Sequence, residues 1–135
     1  MQKKIKITFL FDKKNNYKKK YFKCFKNNKK YIFNNTYNYK NIKKCDILFL
    51  ISITKILPLK LFNKVDLPLI IHESDLPKGR GCSPVMWEIL KNKNFFYVSI
   101  LELDEKMDSG RILLKDKFFI NSTDLYDEIR DKQSK

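Results

Sequence analysis

The sequence predicts an α/β fold, with a mostly parallel β-sheet and helices on both of its faces. Apolar runs of strand length alternate with segments of helical periodicity, as in consecutive βαβ units. Two of these runs, 46–53 and 67–72, are almost continuously apolar, which is typical of strands covered on both sides. The chain has 135 residues, of which 43% are hydrophobic, so we expect one core and a single domain spanning residues 1–135.

The first half of the chain contains three predicted strands. Alternating polar and apolar residues over 4–11 predict the first strand, and the spacing of Tyr17, Tyr21 and Phe25 predicts a helix over 16–25. The remaining elements predicted here are a short strand at 31–33, an Asn-rich loop at 34–41, the strand at 46–53 and a short helix at 58–64.

The second half is predicted to alternate strands with two helices. A helix over 84–91 has Ser83 as its N-cap and Pro84 in its first turn. A final helix over 123–132 has acidic residues near its positive end and directs Leu125 and Ile129 inward. The other elements predicted here are strands at 67–72 and 95–103, and a turn with a short strand at 110–114 that 118–120 can continue.

The net charge of +14 lies entirely in residues 1–44, which contain fifteen lysines and one aspartate. Ten of the 19 aromatic residues lie in the same third of the chain. This segment is either a surface for single-stranded nucleic acid or a compositional bias toward the residues of A/T-rich codons. We favour the bias, because 26 of the 29 basic residues are lysine, whereas arginine suits bidentate phosphate recognition. The positive field would also attract an anionic small molecule.

The reactive residue types are too sparse for a metal site or a disulfide scaffold. Cys24, Cys45 and Cys82 are odd in number and lack metal-ligand spacing, and His72 is the one histidine. We therefore expect no metal and a reducing, cytoplasmic location. No apolar stretch reaches the length of a membrane-spanning helix, so a membrane partner is not expected.

A polar loop at residues 72–84 is the first place to look for a ligand. In parallel sheets ligands bind beyond the carboxyl ends of the strands, and this loop follows the buried strand at 67–72. It begins with His72, has Gly79 and Gly81 on either side of Arg80, and leads into a helix. From spacing alone, a plain connecting loop explains the segment equally well.

Residues 72–84, His-Glu-Ser-Asp-Leu-Pro-Lys-Gly-Arg-Gly-Cys-Ser-Pro, resemble the His-x-Ser-x-Leu-Pro signature of the folate-dependent formyltransferases. The helix that follows, with Trp87, is similar to the family's continuation, and residues 106–113 resemble its Asp-Ser-Gly loop. The family includes formyltransferases of methionyl-tRNA, of phosphoribosylglycinamide and of amino sugars. The resemblance covers roughly residues 45–132 and implies a Rossmann-like, three-layer catalytic domain, with 1–44 as a lysine-rich, shortened first βαβ unit.

The resemblance implies formyl transfer from 10-formyltetrahydrofolate to an amine. His72 would polarise the formyl carbonyl and Asp108 would assist proton removal or orient His72. Seven further residues would bind the formyl donor: Ser74, Leu76, Pro77, Gly79, Arg80, Gly81 and Gly110. Lys78 and Trp87 would bind the acceptor. Where the family has an asparagine, two residues before the histidine, this chain has Ile70, so one hydrogen-bond donor to the oxyanion is absent.

The form of the signature most resembles family members of surface-sugar biosynthesis. We therefore expect the acceptor to be an amino sugar linked to a nucleotide. A tRNA acceptor is less expected, because 135 residues leave no room for the C-terminal domain that grips tRNA. The alternatives are a phosphoribosylglycinamide- or methionyl-tRNA-type enzyme, and an inactive homologue that binds nucleic acid or another polyanion through residues 1–44. The sequence does not indicate an oligomeric state.

Overall fold

The computed structural model of the chain describes residues 3–13 and 29–135. The helix predicted over 16–25 lies outside the described residues. The strands are β1 (Ile5–Phe11), β2 (Tyr31–Thr36), β3 (Cys45–Ile51), β4 (Val65–His72), β5 (Phe95–Glu102) and β6 (Ile112–Phe119). The α-helices of the described part are α1 (Pro84–Leu90) and α2 (Tyr126–Gln133), and 3-10 turns span Tyr39–Asn41 and Leu59–Lys64. No helix within these described residues is long and apolar enough to cross a membrane.

The strands form one mixed sheet in the order β2-β1-β3-β4-β5-β6. β1 runs parallel to both of its neighbours, so Ile7 pairs with Phe33 on β2 and with Ile47 on β3. β6 is the last strand at the other edge of the sheet and runs antiparallel to its neighbour β5. This sheet with its helices confirms the predicted fold class, an α/β protein with a mostly parallel sheet.

The chain divides into two compact units, Met1–Ile70 and Ile71–Lys135. In the first unit most apolar residues of β1 and β3 are buried, whereas Ile5 at the start of β1 is exposed and Ile47 and Phe49 are partly buried. Leu48 is completely buried and Leu10 nearly so, and the rings of Phe9 and Phe49 stack with centroids 5.2 Å apart. The burial of these side chains is the main stabilising contribution to this unit.

In the second unit one apolar cluster joins both helices to β5 and β6. Val85 of α1, Phe96 of β5 and Ile129 of α2 are buried together, with Phe118 of β6 against them. Ile89, one helical turn after Val85, packs on the same cluster, so one face of α1 is covered while Met86, Trp87 and Leu90 on the rest of the helix are exposed. This cluster fixes α1 behind the polar loop that follows β4.

β2 is longer than the sequence predicts, since residues 34–36 were expected in a loop. Asparagine has a low strand propensity, but here the backbone of Asn34, Asn35 and Thr36 continues the parallel ladder with β1. The pairing with a neighbouring strand therefore outweighs the local preference. The loop begins only at Tyr37, and the Asn38 side chain then accepts a hydrogen bond from the Lys40 N–H.

The predicted N-cap of α1 is confirmed in position but not in its hydrogen bond, and two predictions about the last helix are wrong. Ser83 occupies the N-cap position of α1 with a left-handed backbone (φ 53°), and its side chain makes no capping hydrogen bond. The last helix begins at Tyr126, because the Asp124 carboxylate accepts the Asn121 N–H and closes a separate turn. Leu125 consequently precedes the helix and is 71% exposed.

β6 is also continuous where the sequence suggests two short pieces. Residues 115–117 are polar and were expected to interrupt the strand. Instead they stay in register with β5, Lys115 opposite Ser99 and Lys117 opposite Tyr97. The polar side chains of β6 are exposed, so the strand tolerates them without loss of pairing.

Candidate active site

His72 is the last residue of β4 and is held by the loop that follows it. Its ring Nε2 lies 2.8 Å from the carbonyl oxygen of Gly79. A carbonyl oxygen only accepts hydrogen bonds, so the hydrogen is assigned to Nε2, and Nδ1 is left to face the opposite side. The side chain of His72 is 12% exposed, which restricts the ring to this orientation.

Asp108 faces His72 from the turn after β5. Its Oδ1 lies 3.6 Å from His72 Nδ1, and its Oδ2 accepts the backbone N–H of Gly81 at 3.0 Å. Asp108 has a left-handed backbone (φ 52°), a conformation unusual for a residue other than glycine, which turns its carboxylate toward the loop. The two side chains predicted to act together thus converge, although 36 positions separate them in the sequence.

The pair has the arrangement of an imidazole oriented by a carboxylate. The Asp108 carboxylate faces the Nδ1 side of the imidazole, and its contact to the Gly81 N–H fixes the carboxylate in turn. His72 Nε2 is the ring's only hydrogen-bond donor when the ring is neutral, and Gly79 accepts that hydrogen here. The Nε2–H of His72 is therefore available to another acceptor only when it leaves the Gly79 carbonyl.

Two glycines in the loop are required by its geometry. A Cβ on Gly79 would lie 2.5 Å from the Cβ of Ser74, so a larger residue would displace the carbonyl that His72 contacts. Gly81 has φ +104°, a conformation that residues with a side chain rarely adopt, and it directs its N–H to Asp108. Both glycines thus act on the His72–Asp108 pair through the backbone.

The other predicted donor-binding residues differ in how accessible they are. Leu76 is completely buried and Pro77, after a cis peptide bond, is exposed. Ser74 is buried, and its hydroxyl has no hydrogen-bond partner within the described part of the chain. Gly110 packs so closely on β5 that a Cβ would lie 1.7 Å from the Glu102 carbonyl oxygen, which explains the glycine in the Asp-Ser-Gly turn.

A groove of about 450 Å³ opens between this loop and α1. Five of the predicted site residues line it, namely Ser74, Lys78, Gly79, Arg80 and Trp87. His72 and Asp108 are not among the lining residues, and the groove meets the pair only through Gly79. The structure therefore places two of the predicted residues in the His72–Asp108 pair and five in an adjacent groove, whereas Leu76, Pro77, Gly81 and Gly110 belong to neither.

Electrostatics in the groove are set by basic side chains. Lys93 and, less strongly, Lys91 hold the pKa of Glu88 below its usual range, and partial burial opposes them. Lys91 lies 3.2 Å from one carboxylate oxygen of Glu88, and Lys93 contacts the other. Glu88 therefore stays ionised and neutralises part of the positive charge at this end of the groove.

Several residues that support the site escaped the sequence analysis. Ser99 of β5 donates a hydrogen bond to the Ser74 carbonyl at 2.7 Å, and Lys115 of β6 reaches Asp75 at 2.7 Å. Arg130 of α2 contacts Glu73, the neighbour of His72, at 2.6 Å. These partners are 25 to 57 positions apart, and no local pattern indicates such contacts.

Residues 2–135 match the model of the formyl transferase family, which accounts for nearly the whole chain. The chain is a member of the formyl transferase family. Methionyl-tRNA formyltransferase of Wolbachia sp. subsp. Drosophila simulans (strain wRi) is 40% identical over 93 residues, covering 68% of this chain and 31% of the relative. This chain spans less than a third of the length of the curated relatives it matches.

Solved structures of formyl transferase relatives share the fold. Methionyl-tRNA formyltransferase from Clostridium thermocellum superposes with a TM-score of 0.80 at 22% identity, over 96% of this chain and 59% of that chain. HypX from Aquifex aeolicus in complex with tetrahydrofolic acid superposes with a TM-score of 0.68 at 21% identity, over 88% of this chain and 22% of that chain. The match to the family model confirms the predicted family, and these superpositions confirm the predicted fold.

Proposed function

We propose that this formyl transferase family member transfers a formyl group from 10-formyltetrahydrofolate to the amino group of an aminoacyl-tRNA. The observation that supports it most is the convergence of His72 and Asp108, with 3.6 Å between Nδ1 and Oδ1. Formyl transfer needs a hydrogen-bond donor for a developing oxyanion and an acceptor for the proton of the amine. Imidazole and carboxylate supply these two functions.

The residues present fit a formyl donor. Its carbonyl oxygen requires a hydrogen-bond donor, and the site offers the Nε2–H of His72. His72 lies beside Gly79, whose carbonyl oxygen it contacts. The folate complex of the HypX relative is consistent with tetrahydrofolate as the carrier.

The chain's residues would act in a simple order. The amine attacks the formyl carbon, and His72, released from Gly79, donates its Nε2 hydrogen to the resulting oxyanion. Asp108 faces the Nδ1 side of the ring and accepts, directly or through water, the proton that the attacking nitrogen loses. Collapse of the tetrahedral intermediate restores the carbonyl and breaks the bond to the folate nitrogen, which takes up the proton held by Asp108, so the formyl group remains on the acceptor.

The relatives favour a tRNA acceptor over the amino sugar expected from the sequence. The most similar relative described above is a methionyl-tRNA formyltransferase by name, and the comparisons give no support to an amino sugar. We therefore replace the amino sugar by an aminoacyl-tRNA in this proposal; the cytoplasmic location stays a prediction.

A row of lysines in the first unit supports the same choice. Pairs of exposed lysines precede each of the three parallel strands β2, β1 and β3, and the amino ends of parallel strands meet at one edge of a sheet. We call these six residues the lysine edge. They are Lys29, Lys30, Lys3, Lys4, Lys43 and Lys44. Adjacent strands are about 4.8 Å apart, so the pairs form a continuous cationic row. A phosphate backbone is the polyanion that such a row would bind.

A formyl-transfer assay with 10-formyltetrahydrofolate and methionyl-tRNA tests the proposal. We expect formylation by the parent chain, and a loss of at least about 100-fold in His72→Asn and Asp108→Ala. Lys60→Gln, an exposed lysine of the first unit, is the matched control and should keep the parent rate. Equal background rates in parent, His72→Asn and Asp108→Ala would contradict the proposal.

A further inference from the structure

The groove beside the reacting pair has two walls of different character, both in the second unit. One wall is the polar loop after β4, which contributes Ser74, Lys78, Gly79 and Arg80. The other is one face of α1 and its end, where Trp87, Glu88 and Lys91 recur at helical spacing. At about 450 Å³ the groove is within the range of small-molecule sites and can hold a mononucleotide.

Both carboxylates of the groove are already neutralised. Asp75 is paired with Lys115 at 2.7 Å, and Glu88 is paired with Lys91 and Lys93. Lys78 and Arg80 are exposed and have no ion-pair partner among residues 3–13 and 29–135. Two uncompensated cations on the same loop make the groove a site for an anion, and the guanidinium can bind phosphate through two hydrogen bonds.

An exposed tryptophan adds an aromatic surface to this cationic site. Trp87 is the chain's one tryptophan and is 62% exposed, although α1 has an apolar face that packs in the core. Its indole lies on the groove side of the helix, away from Val85 and Ile89. An aromatic ring next to cations is the combination that binds nucleotides, because the ring stacks on a base while the cations bind phosphate.

The hydroxyl of Ser74 is the second observation that points to a ligand. Ser74 lines the groove, its residue is 3% exposed, and its Oγ has no hydrogen-bond partner in the described part of the chain. A buried polar group without a partner is unfavourable, and such groups in native proteins call for an explanation. A ligand oxygen that enters beside Gly79 would supply the acceptor that the hydroxyl lacks.

We propose that this groove binds a nucleotide unit of the acceptor, with its phosphate on Lys78, Arg80 and Ser74 and its base stacked on Trp87. The inference rests on the proposed function, since an aminoacyl-tRNA presents single-stranded nucleotides next to its reactive amine. The groove adjoins the His72–Asp108 pair only through Gly79, so the nucleotide binds beside the reacting atoms without covering them.

Intrinsic fluorescence of Trp87 measures binding directly, without the formyl donor. We expect saturable quenching by AMP, and binding at least about tenfold weaker for adenosine or inorganic phosphate, each of which lacks one recognised part. Lys78→Gln and Arg80→Gln should each weaken AMP binding about fivefold or more, whereas Lys60→Gln should not. Absence of quenching by AMP, or phosphate that binds as tightly as AMP, would overturn the proposal.

An oligonucleotide separates the two sources of the same chemistry. If the groove serves a polynucleotide, a single-stranded oligoadenylate with a free 3′ end should bind more tightly than AMP. If it serves a free nucleotide, AMP should bind as tightly as the oligonucleotide. Either result supports a nucleotide site. If neither AMP nor the oligonucleotide binds, the proposal is refuted.

Alkylation of Cys82 gives a second readout that does not need the tryptophan. Cys82 is exposed and lines the groove, whereas burial raises the pKa of the Cys45 thiol and makes it a poor nucleophile. We expect AMP to protect Cys82 from alkylation by iodoacetamide in the parent chain but not in Trp87→Leu. Peptide mass spectrometry measures the extent of alkylation. Equal protection in both would contradict stacking on Trp87.

Ser74→Ala completes the test. It should weaken AMP binding while thermal stability is kept or raised, because an unpartnered hydroxyl is removed. Unchanged AMP binding would contradict the role of Ser74. The two proposals fail separately: nucleotide binding without formyl transfer would refute the proposed function alone, and transfer with no nucleotide binding to the groove would refute this inference alone.

Discussion

At the scale of single residues, His72 is held on both sides of its ring. Gly79 accepts the Nε2 hydrogen at 2.8 Å, and Asp108 faces Nδ1 at 3.6 Å. The single hydrogen-bond donor of the neutral ring is thus directed to Gly79, and the proposed role requires a formyl oxygen to take the place of that carbonyl. Asp108 has a second contact, to the Gly81 N–H, so its charge and its structural function can be separated by mutation.

Asp108→Asn and Asp108→Ala make that separation. An asparagine can still accept the Gly81 N–H but presents no charge to His72, so we expect formyl transfer to fall at least about 100-fold with thermal stability nearly unchanged. Alanine loses both contacts, and its melting temperature should also fall. Rates and thermal unfolding of the two variants check this, and an Asp108→Asn protein as active as the parent would contradict a role for the charge.

Local sequence patterns predicted the residues of the site better than they predicted the residues that hold the site loop in place. His72, Gly79 and Gly81 lie in one contiguous stretch, and Asp108 lies in a second recognisable one. Arg130 and Ser99 act on the same loop from other elements and could not be predicted, because such contacts depend on tertiary packing. The sequence also suggested capping by Ser83, which the left-handed backbone at that residue prevents.

At the scale of elements, a buried ion pair ties α2 to the end of β4. Arg130 Nη1 lies 2.6 Å from Glu73 Oε2, and the two side chains are 10% and 13% exposed. Glu73 directly follows His72 in the chain, so this contact anchors the start of the site loop. Removal of Arg130 takes this cation away from the buried Glu73 carboxylate, and breaking a buried ion pair on one side is strongly destabilising.

Arg130→Met should therefore destabilise the chain by roughly 3–5 kcal/mol. The double variant Arg130→Met/Glu73→Gln should recover a large part of this loss, because no unpaired charge remains. Urea unfolding of both single variants and the double variant measures the coupling between the residues. Additive losses would contradict the interaction between Arg130 and Glu73.

The carboxylate on α1 predicts a pH dependence of stability. Lys93 and Lys91 hold the pKa of Glu88 below its usual range, so its ion pairs stabilise the folded chain above the unfolded pKa of about 4.3. That contribution is lost as the pH falls through the lower folded pKa. Glu88→Gln should make stability less dependent on pH between about 5 and 3, as measured by urea unfolding. An identical pH dependence in parent and variant would contradict the assignment.

Element boundaries show how far local propensity extends. The strand β2 includes Asn34 and Asn35, which have low strand propensity, because β1 supplies a parallel partner along their whole length. β6 keeps Lys115 and Lys117 in register with β5 for the same reason. Strand pairing is a tertiary interaction, so the pattern of apolar residues predicts the existence of these strands better than their ends.

At the scale of the whole molecule, the fold follows from the sequence more directly than the acceptor does. Alternating apolar strands and amphipathic helices are sufficient to predict an α/β fold, because each pattern must bury its apolar side. Acceptor recognition depends on how charged side chains and loops are arranged in space, which local sequence patterns do not predict. The sequence therefore suggested an amino sugar, whereas the relatives favour methionyl-tRNA.

The lysine edge predicts a salt dependence of tRNA binding. Lys43 and Lys44 are exposed at the start of β3, and each phosphate contact contributes about 0.7 to 0.9 to the slope of log K against log salt. We expect Lys43→Gln/Lys44→Gln to reduce that slope by roughly 1.5, and the matched double variant Lys55→Gln/Lys60→Gln to leave it unchanged. Filter binding of tRNA at several salt concentrations checks this, and equal slopes in both variants would contradict a role for the edge.

Ile70 provides the most direct test of the central claim, that the His72–Asp108 pair performs formyl transfer. Ile70 lies on β4 two residues before His72, and its side chain has no hydrogen-bond donor. The family pattern that the sequence resembles has an asparagine at this position. The measurement is the rate of formyl transfer from 10-formyltetrahydrofolate to methionyl-tRNA by parent, Ile70→Asn and Ile70→Asn/His72→Asn. We predict that Ile70→Asn raises the rate by about 10²–10³ and that the added His72→Asn abolishes the gain. The central claim would be contradicted if neither the parent nor Ile70→Asn transferred the formyl group, or if Ile70→Asn/His72→Asn were as fast as Ile70→Asn.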